Sequence, residues 1–108
     1  MFKIEPSTHG DDPCLKLQGG LTIYAITEAR DLLCAALDQR RELQLDLSGL
    51  EELDTSGVQL LAWMKQDARR QGKRLALFGH SPAVVEIFEL LNVAGWFGDA
   101  ILIAPSVA

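Results

Sequence analysis

Between Glu42 and Gln71 the chain changes its hydrophobic period, and that change constrains the fold more than any other feature. Glu42-Leu43-Gln44-Leu45-Asp46-Leu47 alternates apolar and polar residues, the period-two pattern of a strand. From Gly57 to about Gln71, Leu60, Leu61, Met64 and Ala68 recur at the spacing of one helix face, and Gly72 can close the helix in a left-handed conformation. Ser48 to Leu53 reads as a turn with two apolar anchors. Strand and helix meet at Asp54-Thr55-Ser56-Gly57. Unpaired backbone N–H groups and the positive end of a helix dipole gather at such a junction, which therefore accommodates negative charge. Ser56, followed three residues later by Gln59, has the form of a capping box. With Ser56 as the cap, its hydroxyl is engaged and Thr55 is the more available of the two. Polar residues also simply start helices, and spacing alone does not separate a helix start from a functional site.

The remaining chain extends the same alternation. Phe2 to Glu5 reads as a first strand ended by Pro6, and Ser7 to Pro13 as a turn-forming loop. Cys14 to Gln18 is a second strand, hairpin-paired with the first and broken by Gly19-Gly20. A helix is expected from about Ile26 to Gln39, with Ala29, Leu32, Leu33, Ala36 and Leu37 inward and Thr22 to Ala25 leading into it. Arg74 to Phe78 is a nearly continuous apolar run, expected of a central strand covered on at least one face. Ser81-Pro82 supplies a cap followed by proline at the first helical position. The helix it opens presents Val84, Ile87, Phe88 and Leu91 inward and ends near Asn92. Ile101-Leu102-Ile103 reads as a last strand after a tight loop holding Trp96 and Phe97. Strand–helix–strand units imply an α/β fold with a mixed, mostly parallel sheet and right-handed crossovers. Functional groups in such sheets collect where strands end and helices begin, which is where Thr55 sits.

Chain length suits a single domain, residues 1–108, with one core. A net charge of −5 argues against a nucleic-acid partner, because nothing like a basic stripe offsets it. Lys65 to Arg74 is locally basic but interrupted by Asp67, the pattern of a solvated helix face. Met1 to Gly10 has no apolar core of signal-peptide length and no run approaches a membrane span, so direct membrane insertion is not expected and a cytoplasmic location fits. Cys14 and Cys34 lack metal-ligand spacing and read as reduced thiols in core-forming elements. His9, in a loop, and His80, in a turn, have no metal or catalytic pattern around them. Glu51, Glu52 and Asp54 form an acidic run without a second cluster, so no metal site is expected. Gly19-Gly20 is no dinucleotide fingerprint, and there is no phosphate-loop lysine. No cofactor is expected, and the chain does not read as an enzyme. On the second helix Gln59, Gln66, Asp67 and Arg70 face outward, and Trp63 either joins them as a contact anchor or lies flat over the edge of the core.

Two groups of motifs carry a family resemblance. Leu45-Asp46-Leu47-Ser48 with Leu53-Asp54-Thr55-Ser56-Gly57-Val58-Gln59-Leu60-Leu61 resembles the STAS domains of anti-sigma-factor antagonists. Gly79-His80-Ser81-Pro82-Ala83-Val84 and Phe88-Glu89-Leu90-Leu91-Asn92-Val93 look like that family's third-helix segment. The resemblance runs roughly from Leu15 to Ile103. It implies a STAS fold with the helices chiefly on one face of the sheet. It further implies a binding module phosphorylated at Thr55 by a serine/threonine kinase that is itself the anti-sigma factor, or by a related signalling kinase. The implied partner surface comprises Asp54, Thr55, Ser56, Gly57, Gln59 and Trp63. Such antagonists usually carry an acidic segment of the Gly-Glu-Leu-Asp type near the phosphorylated residue. Here that stretch is Gly20-Leu21-Thr22-Ile23, without a carboxylate. The family's other branch, a small cytosolic STAS subunit bound to the ATPase of a phospholipid ABC transporter, is the alternative that the resemblance implies.

Overall fold

A computed structural model describes residues 1–91. The elements run β1 (Phe2–His9), β2 (Asp12–Leu21), α1 (Ile26–Asp38), β3 (Glu42–Leu53), α2 (Thr55–Arg70), β4 (Arg74–Phe78) and α3 (Pro82–Leu91). The sheet order is β1-β2-β3-β4. The β1–β2 pair is antiparallel, while β2–β3 and β3–β4 are parallel. The mixed, mostly parallel sheet matches the expectation. The expected last strand at Ile101–Ile103 and the loop bearing Trp96 and Phe97 lie outside the described residues.

The core sits on one face of the sheet. Leu43, Leu45 and Leu47 of β3 and Leu75 and Leu77 of β4 are buried, while Gln44, Asp46, Ala76 and Phe78 between them are only half-buried. That alternation is the period-two signature of a sheet covered on one side. Ala29, Leu33 and Leu37 of α1, Leu61 and Met64 of α2, and Val84 and Phe88 of α3 join these strand residues in one cluster. The inward assignments hold only in part: Leu32 and Leu91 are exposed, at 39 % and 37 %, while Ala36 and Ile87 are partly buried against the cluster.

The strands are longer than their local pattern. Pro6 does not end β1 but lies within it, opposite Leu15. Because β1 is at the margin of the sheet, a residue without an N–H is tolerated there. Gly19 and Gly20 continue β2 instead of breaking it, and Ser48–Leu53 continues β3 instead of turning. The two extensions pair with each other, Gly19 with Leu50 and Leu21 with Leu53. Two register shifts interrupt this ladder, as β-bulges do. Near the first, the Ser48 N–H donates to Asp46 Oδ1 at 2.9 Å. Pairing between distant segments supplied what alternation did not.

Helix ends follow their local chemistry. Gly72, at φ +70°, ends α2; its N–H donates to Arg69 O at 3.0 Å and that of Lys73 to Ala68 O at 2.8 Å. This is the double bond pattern of a Schellman motif. Ser81 Oγ accepts the Val84 N–H at 3.3 Å, capping α3 ahead of Pro82. His80, expected in a turn, is buried, with its ring edge-on to Phe88 at 5.7 Å. His9 lies in β1, not in a loop, and its ring meets Phe78 at 4.3 Å. Cys14 is buried and Cys34 half-buried, both as free thiols.

Candidate functional site

The junction of β3 and α2 is organised by Asp54, not by Ser56. Asp54 is the N-cap, extended at φ −110° and ψ −176°, and its Oδ1 accepts the Gly57 N–H at 3.0 Å. Its backbone carbonyl takes the first helical bond, from Val58 N at 3.1 Å. The cap therefore lies two residues before the expected Ser56, and with Gly57 at the third helical position the expected Ser56–Gln59 capping box does not form. Thr55 and Ser56 occupy the first two helical positions, with Thr55 exposed and Ser56 half-buried.

The cap falls on Asp54 because the chain is held by its neighbours. The second carboxylate oxygen, Oδ2, accepts the Ile23 N–H at 2.9 Å, and the Asp54 N–H points to Leu21 O at 3.4 Å. One side chain thus ties the β2–α1 turn to the start of α2. Gly57 completes the fit. A Cβ built there would lie 2.3 Å from Leu21 O and 2.5 Å from Leu53 Cδ1, so no larger residue can approach so closely.

From this cap an outward stripe runs along α2. Thr55, Gln59 and Trp63 follow one another at four-residue intervals, which places them on one helix face. All three are exposed, Trp63 to 42 %. Trp63 combines the two sequence readings, since it is partly covered and lines a shallow groove with Gln66, Arg69 and Arg70. Asp67, expected among the outward residues, is half-buried and accepts hydrogen bonds from Arg70 and Gln71. That bonding leaves the basic stretch of α2 a mixed-charge surface.

Beside the junction lies a groove of about 320 Å³ between the end of β3 and α3. Leu53, Ala83, Ile87 and Leu90 give it an apolar lining, and Glu51, Glu52, Asp54 and Glu86 an acidic one. Glu51 and Glu52 end a strand there rather than lying in the turn expected over Ser48 to Leu53. Among the described residues, no group of three or more His, Cys, Asp or Glu side chains could hold a metal ion. Nor is any described helix long and apolar enough to cross a membrane.

Sequence reasoning missed Ile23 and Tyr24. They stand 61 % and 97 % exposed in the turn that Asp54 holds. An apolar pair between a strand and a helix, off the periodicity of either, was the available signal.

Comparison with known proteins agrees with this architecture. The sequence model of a family described as "Mlab, STAS domain" matches residues 4–103. An anti-sigma F factor antagonist of Lysinibacillus sphaericus is 27 % identical over 101 residues, covering 92 % of this chain and 86 % of the relative. Among solved structures, the unphosphorylated anti-sigma factor antagonist SpoIIAA superposes with a TM-score of 0.68 at 20 % identity, over 99 % of this chain and 92 % of that one. The phosphorylated form of SpoIIAA, a Bacillus protein, gives 0.63 at 19 % identity, over 99 % and 96 %. An anti-sigma factor antagonist from Mycobacterium paratuberculosis gives 0.72 at 14 % identity, over 99 % and 90 %. With a family model spanning nearly the whole sequence and this fold beneath it, the chain belongs to the STAS-domain family.

Proposed function

We propose that this protein is a cytoplasmic, phosphorylation-controlled binding module of the anti-sigma-factor-antagonist kind. Its partner is a serine/threonine kinase that doubles as anti-sigma factor, or a related signalling kinase. It docks through Asp54–Gly57 and the stripe carrying Gln59 and Trp63, and Thr55 is the phosphorylated residue. The observation that carries the reading is an exposed Thr55 at the first position of α2, next to the cap and continuous with an open helix face. The name of the Lysinibacillus relative supports it.

The physical logic of such a switch is local. A phosphate brings about −1.5 to −2 charges, which a helix N-terminus tolerates within the free domain. The same charge is hostile to a partner surface built to cover an uncharged hydroxyl. No refolding is needed, because Thr55 contributes nothing to the core.

Incubation with the cognate kinase and ATP, followed by mass-spectrometric mapping, tests the reading. Phosphate on Thr55 and none on a Thr55→Ala variant is expected; modification elsewhere with Thr55 untouched refutes it. A second reading, a constitutive STAS subunit on the ATPase of a phospholipid ABC transporter, is favoured by the carboxylate-free stretch Gly20–Ile23 beside the site. Recovery of an ABC ATPase, in place of a kinase, in pull-downs from cells would select it.

A further inference from the structure

The turn between β2 and α1 spends two large apolar side chains on solvent. Nothing in the core requires this, since Ile23 and Tyr24 pack into none of the cluster beneath the sheet. The turn is nevertheless held in place. Ile23 is tied to the capping carboxylate of Asp54, and the Ala25 N–H donates to Thr22 O at 2.9 Å. From Gly19 to Thr27 the chain carries no charged residue. An isolated exposed apolar residue is ordinary, but an adjacent pair fixed beside a polar junction is what a binding surface presents.

We propose that Ile23 and Tyr24 form the apolar anchor of the partner interface around Thr55. The occupant is a protein whose matching face holds an uncharged, apolar pocket instead of a cationic cradle. This rests on the reading that the Thr55 surface binds a kinase, and it states the chemistry of that kinase's face. Two observations select the occupant. Asp54, the residue before Thr55, joins the turn to the N-terminus of α2 by accepting the Ile23 N–H and the Gly57 N–H, which makes the turn and the helix start adjoining parts of one surface. Residues 19–27 carry no charge of their own, and the Asp54 carboxylate beside them is engaged by the Ile23 and Gly57 N–H groups; the remaining nearby charges are the glutamates of the groove that Thr22 and Asp54 also line. Tyrosine suits this role, combining a large apolar ring with a polar tip and little entropy to lose.

The anchor also defines how phosphate releases the partner. A dianion pressed against apolar surface loses its hydration, a penalty that dissolved salt does not relieve. Repulsion between exposed charges would instead be screened over about 10 Å at about 0.1 M salt and about 3 Å at about 1 M. The competing interface uses the neighbouring groove, whose Glu51, Glu52 and Glu86 would attract a cationic partner.

The test uses the purified kinase that labels Thr55, titrated calorimetrically with the full chain. The chains compared are wild type, Ile23→Ser, Tyr24→Ser and Tyr24→Phe, with thermal melts confirming that each variant is folded. Each serine variant is expected to weaken binding about tenfold or more, with Tyr24→Phe retaining most of the affinity. Wild-type affinity is expected to change by less than about tenfold between about 0.05 and 0.5 M salt. A smaller loss in both serine variants overturns the proposal. So does a larger salt effect, which would assign the interface to the acidic groove and a cationic partner. Phosphorylated wild-type chain that binds as tightly as unmodified chain refutes the Thr55 switch separately, leaving the serine comparison to stand or fall alone.

Discussion

Asp54 is the place where a small chemical change should separate two structural roles. Its Oδ1 caps α2 through the Gly57 N–H, and its Oδ2 holds the Ile23 N–H of the β2–α1 turn. Asp54→Ala removes both acceptors. Loss of an N-cap costs about 1 kcal/mol. Loss of the second bond, which is solvent-exposed, adds about 0.5–1 kcal/mol, for about 1.5–2 kcal/mol in all. Asp54→Asn is the informative variant. Asparagine caps about as well as aspartate but offers one acceptor oxygen, and its amide nitrogen cannot accept from Ile23. It should therefore cost only about 0.5–1 kcal/mol. Urea unfolding measures both, and a loss of roughly 2 kcal/mol lowers the midpoint by about 1 M when the slope is about 2 kcal/mol/M. Amide exchange supplies the local readout. In Asp54→Asn the Ile23 amide should lose protection while the first turn of α2 keeps it. Equal losses for Asn and Ala, or an Ala variant within about 0.5 kcal/mol of wild type, would show that the carboxylate is not a two-point clamp.

Other perturbations follow from the same structure. Gly57→Ala should destabilise by about 1–3 kcal/mol through overpacking, outweighing a helix-propensity gain of about 1 kcal/mol, because Leu21 O is backbone and cannot swing away; a stabilised variant in urea would contradict this. Thr55→Ala should stay within about 0.5 kcal/mol of wild type in the same assay while abolishing phosphate incorporation. Phe88→Ala should cost about 3–5 kcal/mol in thermal or urea unfolding, since its ring is buried in the core and meets His80. Burial pushes both thiols above the ordinary range, for Cys14 against the Ser7 hydrogen bond, and for Cys34 with help chiefly from Asp67 and Asp38. Iodoacetamide should accordingly label both slowly until urea unfolds the chain. The unfolded thiols ionise first, so this contribution to stability is complete below the ordinary thiol pKa and is lost as pH rises through the raised folded values, which unfolding across the alkaline range would register.

The β4 span, the start of α1 at Ile26 and the Ser81-Pro82 entry to α3 were legible because each is written in a few adjacent residues. Hydrophobic period marked most of the inward faces for the same reason: a helix or strand repeats its geometry locally, so its sequence repeats too. Thr55 at an exposed helix start was legible from the polar tetrapeptide, although the reason offered for its availability was wrong. Which residue caps α2 was decided elsewhere. Asp54 wins over Ser56 because Leu21, Ile23 and Leu53, brought close by the β2–β3 ladder, need a hydrogen-bond acceptor and a Cβ-free approach at those positions. The full lengths of β2 and β3, the inclusion of Pro6 in a strand and the burial of His80 have a common origin. Each depends on a partner distant in the chain or on a place in the sheet, and periodicity carries no record of either. Ile23 and Tyr24 are the clearest case. In the sequence they are two apolar residues leading into a helix, and only the folded chain turns them outward in the turn that Asp54 holds.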